Sequence, residues 1–334
     1  MELGNAKEIK KVIYYPWPEP VANTDVLEII KNPNFYKEIV YLLDSNNISC
    51  KDYYVLAASN RIVMRPIILP PNLPQSEIKQ LLSLQIVDQI PYNEDEVYYD
   101  YSIIKRDDQE TVIHVFASER GYIDEIVGLF TALKKKIHCI NVAPVVIYNA
   151  VVNNYQLQLS NTEIFVTINI GATATELSIF KNTELLLFRT IPIGGNRFTT
   201  AFGQDKDSTL QEAEYNKCEY GLHKAVEMQT VLGTQNELFE HLWRSIQYVI
   251  SRNKSYTLKK VFLSGGSAHL KGFSHKFSRY MEIQMHIPGG KRAFEVIVLN
   301  PFEGLQLARD IDISCFQEVA ASFASVIGLA HGGV

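Results

Sequence analysis

The sequence predicts an α/β protein, built as two domains or one large divided one, in which several loops meet at one cleft. Three observations carry that reading. Residues 164–180, IFVTINIGATATELSIF, alternate as a strand, turn sharply at Gly171-Ala172, and alternate again through Leu177 and Ile179. Two further glycine pairs stand next to strands: Gly194-Gly195 in FRTIPIGGNRFTTAF and Gly265-Gly266 in VFLSGGSAHL. A chain of 334 residues with 46% hydrophobic content can also build a sizeable core. The first turn can be read two ways. It is a plain β-hairpin, or it is a phosphate cradle in which small residues bare their backbone N–H groups and Thr173 and Thr175 add hydroxyls.

Composition narrows the function. With 32 Lys and Arg against 37 Asp and Glu, the net charge is −5, so no basic excess points to nucleic acid. Cys50, Cys139, Cys218 and Cys315 are far apart with no CxxC pairing, the pattern of free thiols in a reducing compartment. No apolar run approaches the roughly 18 residues of a membrane span. The N-terminus shows no signal-peptide pattern. A cytoplasmic chain is expected, with no direct membrane insertion, its membrane contact made through a partner.

In chain order, residues 7–14 predict a strand, and Pro16, Pro18 and Pro20 an extended link. Asn32 can cap a helix over 33–45, with Pro33 in its first turn and Phe35, Ile39, Leu42 and Leu43 on one face. A strand follows at 53–58. Residues 62–142 predict a strand, a helix over 75–89 with Ile78, Leu81, Leu82 and Ile86 aligned, two strands at 97–105 and 111–117, and a helix over 123–133, together a compact α+β module. Lys134-Lys135-Lys136 reads as a solvated helix end rather than a nucleic-acid patch. A helix over 145–152 leads onward.

In the second half, the strand at 185–193 runs into Gly194-Gly195, which opens a helix through Thr199. Ser208 can cap a further helix containing EAEYNKCEYG, in which Glu214 and Lys217 share a face; the bland reading is a surface ion pair. A helix over 237–252, a strand at 259–263 ending in Ser264-Gly265-Gly266-Ser267, a strand at 296–299 and a small-residue helix over 317–330 complete the chain.

These motifs, in this order and spacing, resemble the PilM family of type IV pilus assembly proteins, relatives of FtsA in the actin-like ATPase superfamily and similar to the cytoplasmic domain of GspL of type II secretion. The resemblance rests on IILPPNLPQSEIKQLLSLQIVDQIPYNEDEVYYDYSII, INIGATATELSIF, IPIGGNRFT, EAEYNKCEYG, RSIQY, LSGGSAHLKGF, NPFEGL and ASFASVIGLA. It implies an actin-like (ribonuclease H-like) two-lobed α/β fold. Residues 1–61, 143–160 and 319–334 would form the first lobe, 62–142 an inserted module, 161–200 and 258–318 the second lobe, and 201–257 its small subdomain. It also implies ATP with Mg²⁺ between the lobes. Gly171, Ala172 and Thr173 would meet phosphate, Gly195 would border the site, Glu214 and Lys217 would reach the ribose, and Gly265, Gly266 and Ser267 would flank the adenosine.

The chain departs from the family pattern twice. Met1 stands where the family's second strand begins, so either the start is placed late or a first strand and phosphate loop are missing. Asn169 stands where the family has an Asp that holds metal-bound water, which predicts weaker Mg²⁺ binding. No general base is evident, His223, His241 and His269 reading as packing or surface residues. Weak or absent turnover is therefore expected, with no catalytic residue and no protein-only metal site.

The resemblance further implies a cytoplasmic adaptor that docks the N-terminal tail of a PilN-like inner-membrane protein in a groove between the module and the adjoining subdomain. It leaves open contacts with pilus motor ATPases and self-association. Ile86, Ile90, Pro91 and Tyr92 are candidates for the groove wall, with burial in the core as the favoured alternative. The rival readings are an active ATPase or sugar-kinase-like enzyme and an FtsA-like filament. The sequence offers the first no carboxylate base, and against the second it ends in HGGV without an amphipathic helix.

Overall fold

The computed structural model describes residues 2–3, 9–15, 26–91, 93–155, 157–287, 293–309 and 311–331. The chain divides into two compact units, one of Thr24–Val142 and one of Met1–Asn23 with Ala143–Val334. The expected module 62–142 lies inside the first, together with 24–61.

The chain begins with a short antiparallel ribbon of β1 (Glu2–Leu3) and β2 (Ile9–Lys11); of the strand expected over 7–14, residues 7 and 8 lie outside the described residues and 9–11 form a strand that 12–14 do not continue. Next come α1 (Val26–Lys31), which the sequence did not suggest, and α2 (Pro33–Ser45). Asn32 caps α2 as expected, its side-chain oxygen accepting from the Asn34 N–H at 2.9 Å. Then follow β3 (Asp52–Leu56), β4 (Ile62–Leu69), α3 (Gln75–Gln89), β5 (Val97–Arg106), β6 (Thr111–Glu119), α4 (Arg120–Ala132) and β7 (Lys136–Asn141).

The strand β7 corrects the reading of the lysine triplet. Helix α4 closes when Lys134 and Lys135 donate to the Thr131 and Phe130 carbonyls, with Lys134 left-handed at φ 54°. Lys136 then starts a strand rather than ending a helix, and β7 runs parallel to β3. That pairing is why 24–61 belongs with the module. Ala57, Tyr122 and Ile126 form the small core here, and burial pushes the Tyr122 phenol up in pKa even as it accepts from the Ala58 N–H.

The second core of this unit lies under the antiparallel sheet β4-β6-β5. Ile67, Leu69, Ile113, Val115 and Ala117 of the sheet meet Ile78, Leu82, Ile86 and Ile90 of α3 and its end. Their spacing of four residues places these side chains on one helix face.

The other unit continues with α5 (Ala143–Tyr155), β8 (Glu163–Ile170), β9 (Thr175–Lys181), β10 (Glu184–Ile191), α6 (Gly195–Lys206), α7 (Leu210–Tyr220), α8 (Gln229–Arg252), β11 (Thr257–Ser264), α9 (Phe273–Gln284), β12 (Glu295–Val298) and α10 (Ala324–His331). Its five-stranded sheet runs β10-β9-β8-β11-β12, with β8, β11 and β12 parallel and β9 and β10 antiparallel. Strand β8 is central and its residues 164–168 are buried whichever face they point to, as in a strand covered on two faces. Ile164, Val166, Ile168 and Ile170 join Phe198, Phe202, Leu238, Phe239 and Phe277 in the largest core. On the opposite face Phe165 stacks on its cross-strand partner Phe180 at 5.1 Å, and Tyr148 of α5 tilts over Phe180 at 4.9 Å.

Two helix boundaries differ from expectation. The cap of α7 is Thr209, not Ser208: Thr209 and Glu212 form a reciprocal capping box, while the Ser208 hydroxyl is buried without a partner among the described residues. The expected helix over 317–330 is a 3₁₀ segment, Ile313–Phe323, followed by α10. The reason is a tertiary contact. The Ala321 N–H donates to His269 Nε2 at 3.2 Å, so it does not serve an α-helical ladder.

Candidate functional site

The three glycine turns meet at the ends of β8 and β11. The first, Gly171–Ala174, is closed by Gly171 N–H donating to the Ala174 carbonyl at 2.9 Å. The second is tied to it: Gly195 N–H donates to the Gly171 carbonyl at 2.9 Å and Asn196 N–H to the Ala172 carbonyl at 2.8 Å. The start of α6 is thus sewn onto the first turn by its own leading amides, which a helix N-terminus leaves without partners inside the helix. Thr175, buried, adds a side-chain bond to the Ile193 carbonyl at 2.6 Å.

The third turn approaches both others through backbone. Gly265 has φ +90°, and a Cβ there would lie 2.5 Å from the Ile170 carbonyl oxygen. Only glycine tolerates both the angle and the distance. Ser267 N–H donates to that same carbonyl at 3.0 Å. A Cβ on Gly195 would fall 2.3 Å from Ser267 Oγ, so the Ser267 side chain of the third turn occupies the space that a side chain on Gly195 would need. The sequence reading that several loops share one place holds for these three turns.

Two polar groupings sit at this junction. Thr199, one turn into α6, donates to Glu214 Oε2 at 2.5 Å and accepts from Lys217 Nζ at 3.0 Å; Lys217 Nζ reaches Glu214 Oε2 at 2.6 Å. Lys217 is buried. Burial pushes the Glu214 carboxyl up in pKa, but Lys217 and Thr199 outweigh it and hold the group below the ordinary range. Glu214 is half exposed, so the pair is solvated on the carboxylate side alone. It joins α6 to α7 below the second turn, with Lys217 Nζ 3.5 Å from the place a Gly195 Cβ would take.

The other grouping spans three strands. Asn169 on β8 donates through Nδ2 to Glu176 Oε2 on β9 at 2.9 Å, and its Oδ1 accepts from Ser264 Oγ on β11 at 3.1 Å.

The structure therefore gathers Asn169, Gly171, Ala172, Thr173, Gly195, Glu214, Lys217, Gly265, Gly266 and Ser267 into one neighbourhood of one unit. It adds four residues that sequence reasoning missed. Thr199 carried a signal, standing one helical turn after Gly195. Glu176 and Ser264 become visible only when strand register places them beside Asn169. Ser322 gave no signal at all: its hydroxyl is buried without a partner among the described residues, 3.6 Å from where a Cβ on Gly266 would stand.

The donors left open define what the junction can hold. Ala172 and Thr173 are exposed, and among the described residues the N–H groups of Ala172, Thr173 and Ala174 are not committed to backbone carbonyls. Three consecutive amides at an exposed turn suit an oxyanion. Glu214 with Lys217 offers an acceptor and a donor for vicinal hydroxyls. No three His, Cys, Asp or Glu side chains converge as a metal cage among the described residues, so a divalent cation at this turn would need most of its ligands from phosphate and water. His269 does not stand ready as a base, because its Nε2 accepts from Ala321 and burial lowers its pKa.

The groove-wall candidates fare differently. Ile86 and Ile90 are buried in the α3 core, at 0% and 7% exposure, so they hold the module together instead of facing a partner. Pro91 is exposed, and Tyr92 lies outside the described residues. A shallow apolar cavity of about 190 Å³ occurs elsewhere in the same unit, lined by Ile62, Tyr98, Tyr99, Phe116, Ile123 and Val142 among others. It lies where the sheet β4-β6-β5 approaches α4 and β7, and Tyr98 at its rim is 43% exposed.

Comparison with known proteins gives the following. The sequence profile described as type IV pilus assembly protein PilM matches residues 25–333. The structure is similar to a chain of a PilM-PilN type IV pilus biogenesis complex, with TM-score 0.81 and 20% identity over 99% of this chain and 93% of that one. The ethanolamine utilization protein EutJ from Carboxydothermus hydrogenoformans matches at TM-score 0.41 and 17% identity, over 62% of this chain and 60% of its own. The archaeal actin homolog Ta0583 matches at TM-score 0.40 and 13% identity, over 59% and 56%.

Proposed function

The chain belongs to the PilM family of type IV pilus assembly proteins, and on that premise we propose that it is an adaptor that docks the N-terminal tail of a PilN-like inner-membrane protein. The expected α/β, actin-like class is the fold that membership carries. The observation that most supports the docking reading is the apolar cavity beside β5. Strand β5 is an edge of its sheet, so an extended tail can add main-chain hydrogen bonds there while an apolar side chain enters the cavity. No helix among the described residues is long and apolar enough to cross a membrane, which accords with membrane contact through a partner.

The test is calorimetric titration of the full chain with a synthetic tail of the PilN-like protein. Tyr98→Ala and Phe116→Ala each weaken binding about tenfold or more, as anchor truncations do. Wild-type affinity in both variants would place the tail elsewhere.

A second site is favoured by the junction of the three turns. We read it as a nucleotide site: amides of 172–174 for phosphate, Glu214 and Lys217 for the ribose, and Gly265, Gly266, Ser267 and the orphan Ser322 hydroxyl beside the nucleoside. In this reading bound ATP tunes tail affinity and is turned over weakly or not at all. Titration with ATP and Mg²⁺ checks it, and absence of heat together with an unchanged melting temperature would refute it.

A further inference from the structure

We propose that Thr199 is a positioning residue of the nucleotide site, holding Glu214 and Lys217 so that the site selects a ribonucleotide over its 2′-deoxy form. The inference deepens the nucleotide reading and rests on it. Thr199 is buried on α6, one turn after Gly195. Its hydroxyl lies between two opposite charges on α7, 2.5 Å from Glu214 Oε2 and 3.0 Å from Lys217 Nζ. One group must therefore give a proton to a carboxylate and take one from an ammonium, which a hydroxyl does and a methyl group does not. The Gly195 carbonyl, at 3.1 Å, competes for the same hydroxyl proton, and the shorter contact to the charged oxygen takes it.

The bonds inside this triad fix what is left for a ligand. Glu214 Oε2 is filled by Thr199 and Lys217, while Oε1 has only the Cys218 thiol, 3.9 Å away. Two of the three Lys217 protons go to Glu214 and Thr199, and the third has no partner among the described residues. One acceptor and one donor remain, on half-exposed Glu214 and on the ammonium beside Gly195. That set matches two vicinal hydroxyls, one donating to Oε1 and the other accepting from Nζ. The match requires both groups to be held. Without the Thr199 hydroxyl, Oε2 keeps a single bond, the carboxylate turns about it, and the buried ammonium is one partner short.

The experiment compares titrations of the full chain with ATP and with 2′-deoxy-ATP, Mg²⁺ in excess, for wild type, T199V, T199S and T199C. Wild type binds ATP about tenfold or more tightly than the deoxy form, as one lost hydrogen bond to a charged group predicts. T199V keeps the shape and removes the hydroxyl. Its ATP affinity falls to that for the deoxy form, so the ratio approaches one. T199S, which keeps the hydroxyl, restores the ratio. Thermal melts check folding, and T199C, a weak donor and acceptor, replaces T199V if the valine variant does not fold. A purely structural role lowers both affinities together. An unchanged ratio in T199V, or in T199C in its place, therefore overturns the role of Thr199 and leaves the nucleotide site standing. Wild-type binding without preference for ATP overturns the ribose placement and this inference with it. No binding of either nucleotide by wild type overturns the nucleotide reading as a whole.

Discussion

The α3 core of the module and the junction of glycine turns are built by opposite means. In the module, Ile78, Leu82, Ile86 and Ile90 bury one helix face against three strands, and side-chain volume does the work. At the junction, carbonyls of residues 170, 171 and 172 receive amides from 195, 196 and 267, and missing side chains make the approach possible. The module therefore tolerates volume-conserving exchange and suffers from cavities. The junction tolerates almost no added atom and depends on polar groups from distant segments. A residue of either kind declares its role by what a substitution does.

The largest effect is expected at Gly265. Gly265→Ala forces an L side chain to φ +90° and places its Cβ 2.5 Å from the Ile170 carbonyl oxygen. The cost is about 3 kcal/mol or more, visible as a lower urea midpoint with ATP binding lost as well. Stability within about 0.5 kcal/mol of wild type would mean that the turns are not held as described.

Next comes Ile86→Ala, which opens a cavity under the module sheet and costs about 2–5 kcal/mol, measured by denaturant unfolding. Tail affinity under native conditions stays as it was. The reverse outcome, normal stability with tail binding abolished, would return Ile86 to the groove wall and erase the contrast.

The smallest effect is at the exposed hairpin of β5 and β6. Lys105 beside Asp107, with the N–H groups of Glu110 and Gln109, lowers the Asp107 carboxyl to about 2. A depressed carboxyl stabilises the fold above its ordinary value of 3.8 and loses that contribution as pH falls through about 2. An NMR titration should find a midpoint near 2, and one near 3.8 would show that the Lys105 contact does not persist in solution. Because the group is exposed, Asp107→Ala should move the melting temperature least of the three variants.

Much of both regions could be read before the structure. Helix α2 begins where Asn32 and Pro33 place it, because capping and proline act within one turn of chain, and α3 spans the expected 75–89. The strands expected at 97–105 and 111–117 form, as β5 and β6. Failures came where a distant partner decides. Strand β7 hid behind three lysines, because its pairing partner β3 lies some 80 residues earlier in the chain. The 3₁₀ form of Ile313–Phe323 depends on His269, and the Asn169–Glu176 contact on a register that no local pattern states.

What the chain determined by itself is the alternation of its strands, the faces of its helices and the presence of glycine at three turns, since these follow from neighbours a few residues away. The family, too, was legible in the order of short motifs. Tertiary structure alone decided that Ile86 and Ile90 are core, that Thr199 and Ser322 join the junction, and that Asn169 meets Glu176 on the next strand. Those outcomes depend on which segments meet, and a meeting between distant segments is a property of the folded chain.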